Sequence, residues 1–242
     1  MIKFSLLSRH LWVGILPFLV LVLMTPLRVE ALPLALPGLV SAPAYEDPLF
    51  SRAQMIGSEP ALLFGTEEKR SEKMKPFDKW LGVVNKMTKE QGDMPAFRAK
   101  FKDWVAYLDT LQGADMVTKI KSVNTFMNES KYIQDQTNWG ESDYWASPGE
   151  FLSKFGDCED FSIAKYMALK YLGFDPEKMR IVAVKDLNLK VGHAILAVYY
   201  QDWILILDNQ IKVVAESKKI LHYQPIYSIN ESYWWKHRAK EG

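Results

Sequence analysis

The 242-residue sequence predicts an α+β fold in which a helical N-terminal lobe precedes a mostly antiparallel sheet. Three observations predict it. Apolar residues recur at helical spacing through the middle of the chain. After residue 180 they gather instead into short runs rich in Val, Ile and aromatics, separated by tight turns. Where the two regimes meet stands the only cysteine, Cys158, at the start of a helix.

Three amphipathic helices come first. Phe77, Trp80, Leu81, Val84 and Met87 form one apolar stripe. Phe97, Phe101, Trp104, Val105, Leu108 and Leu111 form a second, starting after Pro95, and Met116, Ile120, Val123 and Met127 a third, starting near Ala114. Stripes of this kind face a core. From Tyr132 to Trp145 the periodicity breaks into polar and aromatic residues, including Asn138, Trp139, Tyr144 and Trp145. Ser147-Pro148-Gly149-Glu150 then reads as a helix start, with Ser as the cap and Pro in the first position. That short helix ends at Gly156. The next begins at Cys158, with Phe161, Ala164, Met167, Ala168 and Tyr171 on one face and Gly173 closing it. Strands follow at 180–184, 192–200 and 203–207, the last two joined by the Gln201-Asp202 turn, and a weaker one includes 226–229. The sequence has no internal repeat and no Gly-rich phosphate loop.

Composition narrows the function. Hydrophobic residues are 48% of the chain, enough for a sizeable core, and the formal charge of +1 argues against nucleic acid as the main partner. The four histidines are dispersed and suggest no zinc cluster, and one cysteine cannot form an internal disulfide. The N-terminus carries the location signal. Lys3 and Arg9 precede an apolar run from Leu11 to Met24, the pattern of a secretory signal peptide. The run is short for a membrane span and contains Pro17, so cleavage after Ala31 is expected, with Ser41-Ala42-Pro43-Ala44 as a second candidate site. The alternative is an uncleaved anchor continuing to Leu27. The chain thus divides into a leader over 1–31, an extended Pro-rich segment over 32–76 and a folded domain over 77–242.

Within the domain, three positions carry chemistry. A thiol in the first turn of a helix feels the positive end of the dipole, which favours thiolate. Downstream lie Gly192-His193-Ala194 in one apolar run and Leu207-Asp208-Asn209 at the end of the next. A lone Cys is more often a buried small hydrophobe, a His can be a satisfied core residue, and Asp-Asn can be only a turn. Their agreement is what counts: Cys158 as nucleophile, His193 as base and Asp208 as its orienting acid follow the logic of a catalytic triad. The Cys158 backbone N–H is a natural oxyanion donor, with a second expected between Asn138 and Trp145.

Cysteine at a helix start, His on a following strand and Asp on the next resembles the papain-like and transglutaminase-like core. More narrowly, Asp157-Cys158-Glu159-Asp160-Phe161 together with 192–194 and 207–209 resembles the bacterial transglutaminase-like cysteine proteinases. The resemblance spans roughly Phe77 to Trp235. It implies a periplasmic endopeptidase that cuts a large surface adhesin near an Ala-Ala pair, held in check by an inner-membrane receptor responsive to cyclic-di-GMP. It also implies Ca²⁺ bound by Asp157, Glu159 and Asp160. Physical chemistry gives that implication content. Three carboxylates beside a thiol oppose thiolate formation, and a hard cation preferring oxygen ligands would offset them. Acids in a helix's first turn also occur simply because they suit the dipole. Competing readings are a transglutaminase or amidase on the same core and a catalytically inactive binding module.

Overall fold

The computed structural model describes residues 62–239; the leader and most of the Pro-rich segment lie outside them. Seven helices and a seven-stranded sheet make up the described part. No helix among the described residues is long and apolar enough to cross a membrane.

The helical lobe is built from α1 (Asp78–Gly92), α2 (Met94–Lys100), α3 (Lys102–Thr110) and α4 (Met116–Asn128). The expected second helix is two, broken at Phe101, whose backbone leaves helical geometry. Asp93 and Asp115 cap α2 and α4 by accepting from Ala96 N–H and Thr118 N–H. A short α5 (Asp135–Asn138) interrupts the polar and aromatic stretch. It is followed by α6 (Pro148–Lys154) and α7 (Cys158–Tyr171). Ser147 and Glu150 form the capping box that the sequence of α6 suggests. The helix stops two residues before Gly156, because Phe155 adopts φ 63°.

All strand pairings in the sheet are antiparallel: β1 (Thr66–Ser71), β2 (Met179–Asp186), β3 (Gly192–Tyr200), β4 (Trp203–Leu207), β5 (Ala215–Glu216), β6 (Tyr223–Ile229) and β7 (Trp234–Ala239). The order across the sheet is β1-β7-β6-β2-β3-β4-β5. One edge of the sheet departs from the sequence reading. The folded domain begins before Phe77, because the charged stretch 66–71 pairs residue for residue with β7. Its charges are placed, not merely solvated: Arg180 donates to Glu68 at 2.6 Å while its guanidinium stacks 3.6 Å from the Trp235 ring.

The centre of the sheet sets the site. Helix α7 packs on β2 and β3 and is flanked by α4 and α6. It is buried on almost every side, from Glu159 to Leu169, so it is the core helix rather than a surface one. Ile195 and Ala197 of β3 and Ile204 and Ile206 of β4 belong to one buried cluster with Val182, Val184 and Tyr223. At period two that row continues to His193 and Asp208. An apolar row that ends in a buried His and a buried Asp delivers both at one end of the sheet.

Candidate active site

Cys158 is the first residue of α7, and the loop before it is tightly made. Ile133 N–H donates to Gly156 O at 2.9 Å, and Asn138 Nδ2 donates to Phe155 O at 3.0 Å. The wholly buried Asp160 accepts from Ala146 N–H at 2.7 Å and Asp157 N–H at 3.3 Å. A side chain at position 156 would meet Asp160 Oδ2 at 2.0 Å, so only glycine lets that carboxylate close over the loop. Phe155, a non-glycine at positive φ, adds backbone strain three residues before Cys158.

His193 and Asp208 meet as the sequence suggests. Nε2 of His193 lies 2.9 Å from Asp208 Oδ1, with both side chains almost fully buried. Asp208 has further partners that the sequence did not reveal. Gln210 N–H donates to Oδ1 at 2.8 Å and Tyr223 Oη to Oδ2 at 2.7 Å, while Asn128 Nδ2 donates to its backbone carbonyl at 2.7 Å. Burial alone would raise this carboxyl's pKa, but His193, the Gln210 N–H and the Tyr223 hydroxyl together hold it below the usual carboxylate value. The other ring nitrogen, Nδ1, faces the Gln210 side-chain amide at 3.4 Å.

Cys158 is tied to the histidine strand through Ser162, one turn along α7. Ser162 Oγ lies 2.9 Å from Cys158 O and 3.2 Å from Ala194 O, sharing its proton between them. The thiol itself donates to Glu159 Oε2 at 3.1 Å, and not to His193, among the described residues. Burial, then the Glu159 and Asp157 carboxylates, push its pKa up, against a smaller opposite pull from Ala194 N–H. The dipole effect expected from the sequence is outweighed here, because nearby full charges and desolvation act more strongly than half a charge at a helix end.

The carboxylates explain that balance. Burial, then Asp157, push Glu159 up to about 9, and burial pushes Asp160 up to about 8. Asp157 is raised too, again chiefly by burial. Asp135 joins them although it is 22 residues upstream of Asp157 in sequence: α5 is held against the 155–156 loop, and Asp135 accepts from Tyr144 N–H at 2.5 Å. Ligand atoms of Asp135, Asp157 and Asp160 lie within 4.8 Å of one another, as do those of Asp135, Asp143 and Glu159. Asp135 Oδ1 and Asp157 Oδ1 are buried without a hydrogen-bond partner among the described residues. A like-charged, oxygen-only set with two orphaned acceptors suits a hard cation such as calcium. The sequence reading missed Asp135 and Asp143, whose signal was only an Asp opening a short helix and another in the break. Within the stretch expected to supply a second oxyanion donor, Trp145 Nε1 bonds Asp143, Tyr144 Oη bonds Glu150 and Asn138 Nδ2 bonds Phe155 O, while Trp139 Nε1 is buried with no hydrogen-bond partner among the described residues.

Comparison with known proteins bears on the family and the fold. The family model for bacterial transglutaminase-like cysteine proteinases matches residues 103–240, from α3 to the end of the sheet. Calcium-bound LapG from Legionella pneumophila is 31% identical with a TM-score of 0.53, the match covering 64% of this chain and 87% of that one. The EGTA-treated form of the same protein is 30% identical with a TM-score of 0.52, covering 64% and 84%. No curated protein matches. With more than half of its length matched by the family model, the chain belongs to the bacterial transglutaminase-like cysteine proteinases.

Proposed function

We propose that this protein is a calcium-dependent periplasmic endopeptidase that cuts a large surface adhesin through Cys158, His193 and Asp208. The observation that carries the reading is the convergence of three elements: a thiol at the N-terminus of α7, a buried His193–Asp208 pair 2.9 Å apart, and orphaned carboxylates beside the thiol. Similarity to LapG, one form of which is calcium-bound, supports the cation. The apolar N-terminal leader supports export, and the family resemblance supports an adhesin substrate and a cyclic-di-GMP-responsive receptor as the partner that restrains it.

The residues divide the work as follows. Asp208 fixes the imidazole through Nε2 and can stabilise the imidazolium formed in turnover, which leaves Nδ1 as the atom that takes the thiol proton. Sγ then adds to the scissile carbonyl carbon, His193 returns the proton to the leaving amine, and water hydrolyses the thioester with the same base. The Cys158 backbone N–H lies where it can donate to the developing oxyanion. Before attack, the thiol must leave Glu159 and the Gln210 amide must yield its place at Nδ1. Asp135, Asp157, Glu159 and Asp160 would hold calcium, which supplies positive charge offsetting the acids around the thiol.

Digestion of recombinant adhesin fragments with and without a calcium chelator tests the reading. Cleavage at one site, lost on chelation and restored by calcium but much less by magnesium, is expected. Glutamine–lysine cross-linking without hydrolysis would replace the protease by a transglutaminase.

A further inference from the structure

The loops surrounding the His193 end of the sheet carry a surface that catalysis does not use. Between β2 and β3, Leu187, Leu189 and Val191 are 47%, 60% and 50% exposed, and Leu221, just before β6, is 85% exposed. These are neighbours. Asp186 pairs with Tyr223 and Val184 with His193, and Leu187 N–H donates to His222 O at 2.8 Å. Tyr223 in turn holds Asp208.

The β2–β3 loop is preformed. Every backbone N–H from Asp186 to Lys190 has an acceptor: Asp186 N–H bonds Val191 O and Lys190 N–H bonds Asp186 O. The Asp186 carboxylate takes those of Asn188 and Leu189. Lys190 sits at φ 62°, a strained position for a side chain. A rigid loop with its polar backbone satisfied and three apolar side chains turned outward behaves as a docking element. Charge is asymmetric here too. Lys185, Lys190 and Lys212 are exposed, whereas the acids of these loops, Asp186, Asp208 and Glu216, are buried.

We propose that this apolar and basic rim is a docking surface for the protein substrate, taken as an extended segment whose apolar side chains are interspersed with carboxylates. The proposal rests on the protease reading, because a chain threaded between Cys158 and His193 must continue past the loop that leads into β3. Apolar side chains would cover Leu189 and Leu221, and carboxylates would face the lysines. Continuity with the strand that carries His193 favours a polypeptide over a lipid surface, although apolar residues beside lysines also suit anionic membranes.

The test uses the full chain carrying Cys158→Ala, in calcium, and fluorescence anisotropy of a labelled disordered peptide in which Leu and Val are spaced by Glu and Asp. It should bind about tenfold more tightly than the same peptide with Lys for the acids or Ser for the apolar residues. Leu189→Ser/Leu221→Ser should weaken binding about tenfold while leaving the melting temperature unchanged, since both side chains are exposed. With Cys158 intact, that double variant should raise KM for a cleaved fragment and leave kcat alone. Undiminished binding by the double variant would overturn the proposal. So would Leu189- and Leu221-dependent binding to phosphatidylglycerol vesicles with no preference among the peptides. If no protein is cleaved at all, the protease reading fails, while the anisotropy series still decides the docking surface.

Discussion

Two histidines among the described residues are buried in the same sheet, and they differ in the partners that hold them. His193, at the start of β3, has Asp208 on Nε2 and only a 3.4 Å contact to the Gln210 amide on Nδ1. His237, on β7, lies 3.0 Å from Thr66 Oγ1 and 2.9 Å from Ser228 Oγ. Hydroxyls can satisfy a neutral imidazole at both nitrogens, and the carboxylate beside them, Glu68, stands farther off, 4.0 Å from Nδ1, and is itself bound by Arg180. Burial accordingly pushes His237 down to about 4, with Glu68 opposing and Arg180 reinforcing that shift. His193 differs in having a carboxylate hydrogen-bonded to one nitrogen and only a loose contact on the other. Burial alone does not distinguish the two rings; the hydrogen-bond partner does.

The largest effects should divide along that line. Cys158→Ala and His193→Ala should each lower kcat/KM by at least about 10³-fold, because nucleophile and base act as one unit. Asp208→Ala should retain about tenfold more activity than either, since it orients rather than reacts. His237→Gln should leave kcat/KM of the folded protein unchanged. Steady-state cleavage with purified variants reads all four, and a His237 variant as damaged as His193→Ala would erase the distinction.

Calcium removal comes next. The carboxylates that surround the thiol are absent from the His237 end, so chelation should act on one region only. It should abolish cleavage and lower thermal stability by about 2–3 kcal/mol if calcium was present near 100 times its Kd. Asp135→Asn should reproduce part of both effects; full activity in that variant would remove Asp135 from the site.

A smaller effect is the shape of stability against pH in chelated protein. Glu159 and Asp160 have folded pKa values of about 9 and about 8, above their unfolded values. Their stabilising share is therefore complete below roughly pH 4 and is lost as pH rises through 8 to 9. His237 acts in the opposite direction: its folded pKa of about 4 lies below the unfolded value, so its share is present above roughly pH 6.5 and is lost as pH falls towards 4. Thermal melts should show two flanks, the alkaline one flattened by calcium and the acid one by His237→Gln.

The comparison also shows what the sequence could and could not carry. Strands β3 and β4 and the start of α7 were legible to the residue, because apolar runs bounded by turn residues and a helix start leave few choices. Strands β1 and β7 were not. Residues 66–71 and 234–239 are rich in charges, and only their pairing, with Glu68 clamped by Arg180, makes them sheet. At the site, Cys158, His193 and Asp208 announced themselves by order and setting. Ser162 and Tyr223 did not, since each acts through a contact made by folding. Asp135 was hidden for the same reason: α5 reaches the α7 entry loop through contacts made on folding, among them those of Ile133 and Asn138.

Because Cys158 is the only thiol in the sequence, its alkylation rate reads the pairing of Cys158 with His193 without any substrate. Mass spectrometry should follow iodoacetamide labelling of native protein in calcium at neutral pH. Fast labelling of the wild type is predicted, slowed at least about 10²-fold by His193→Ala and by chelation, and unchanged by His237→Gln. Equal rates in the wild type and His193→Ala would contradict the pairing of this thiol with this histidine.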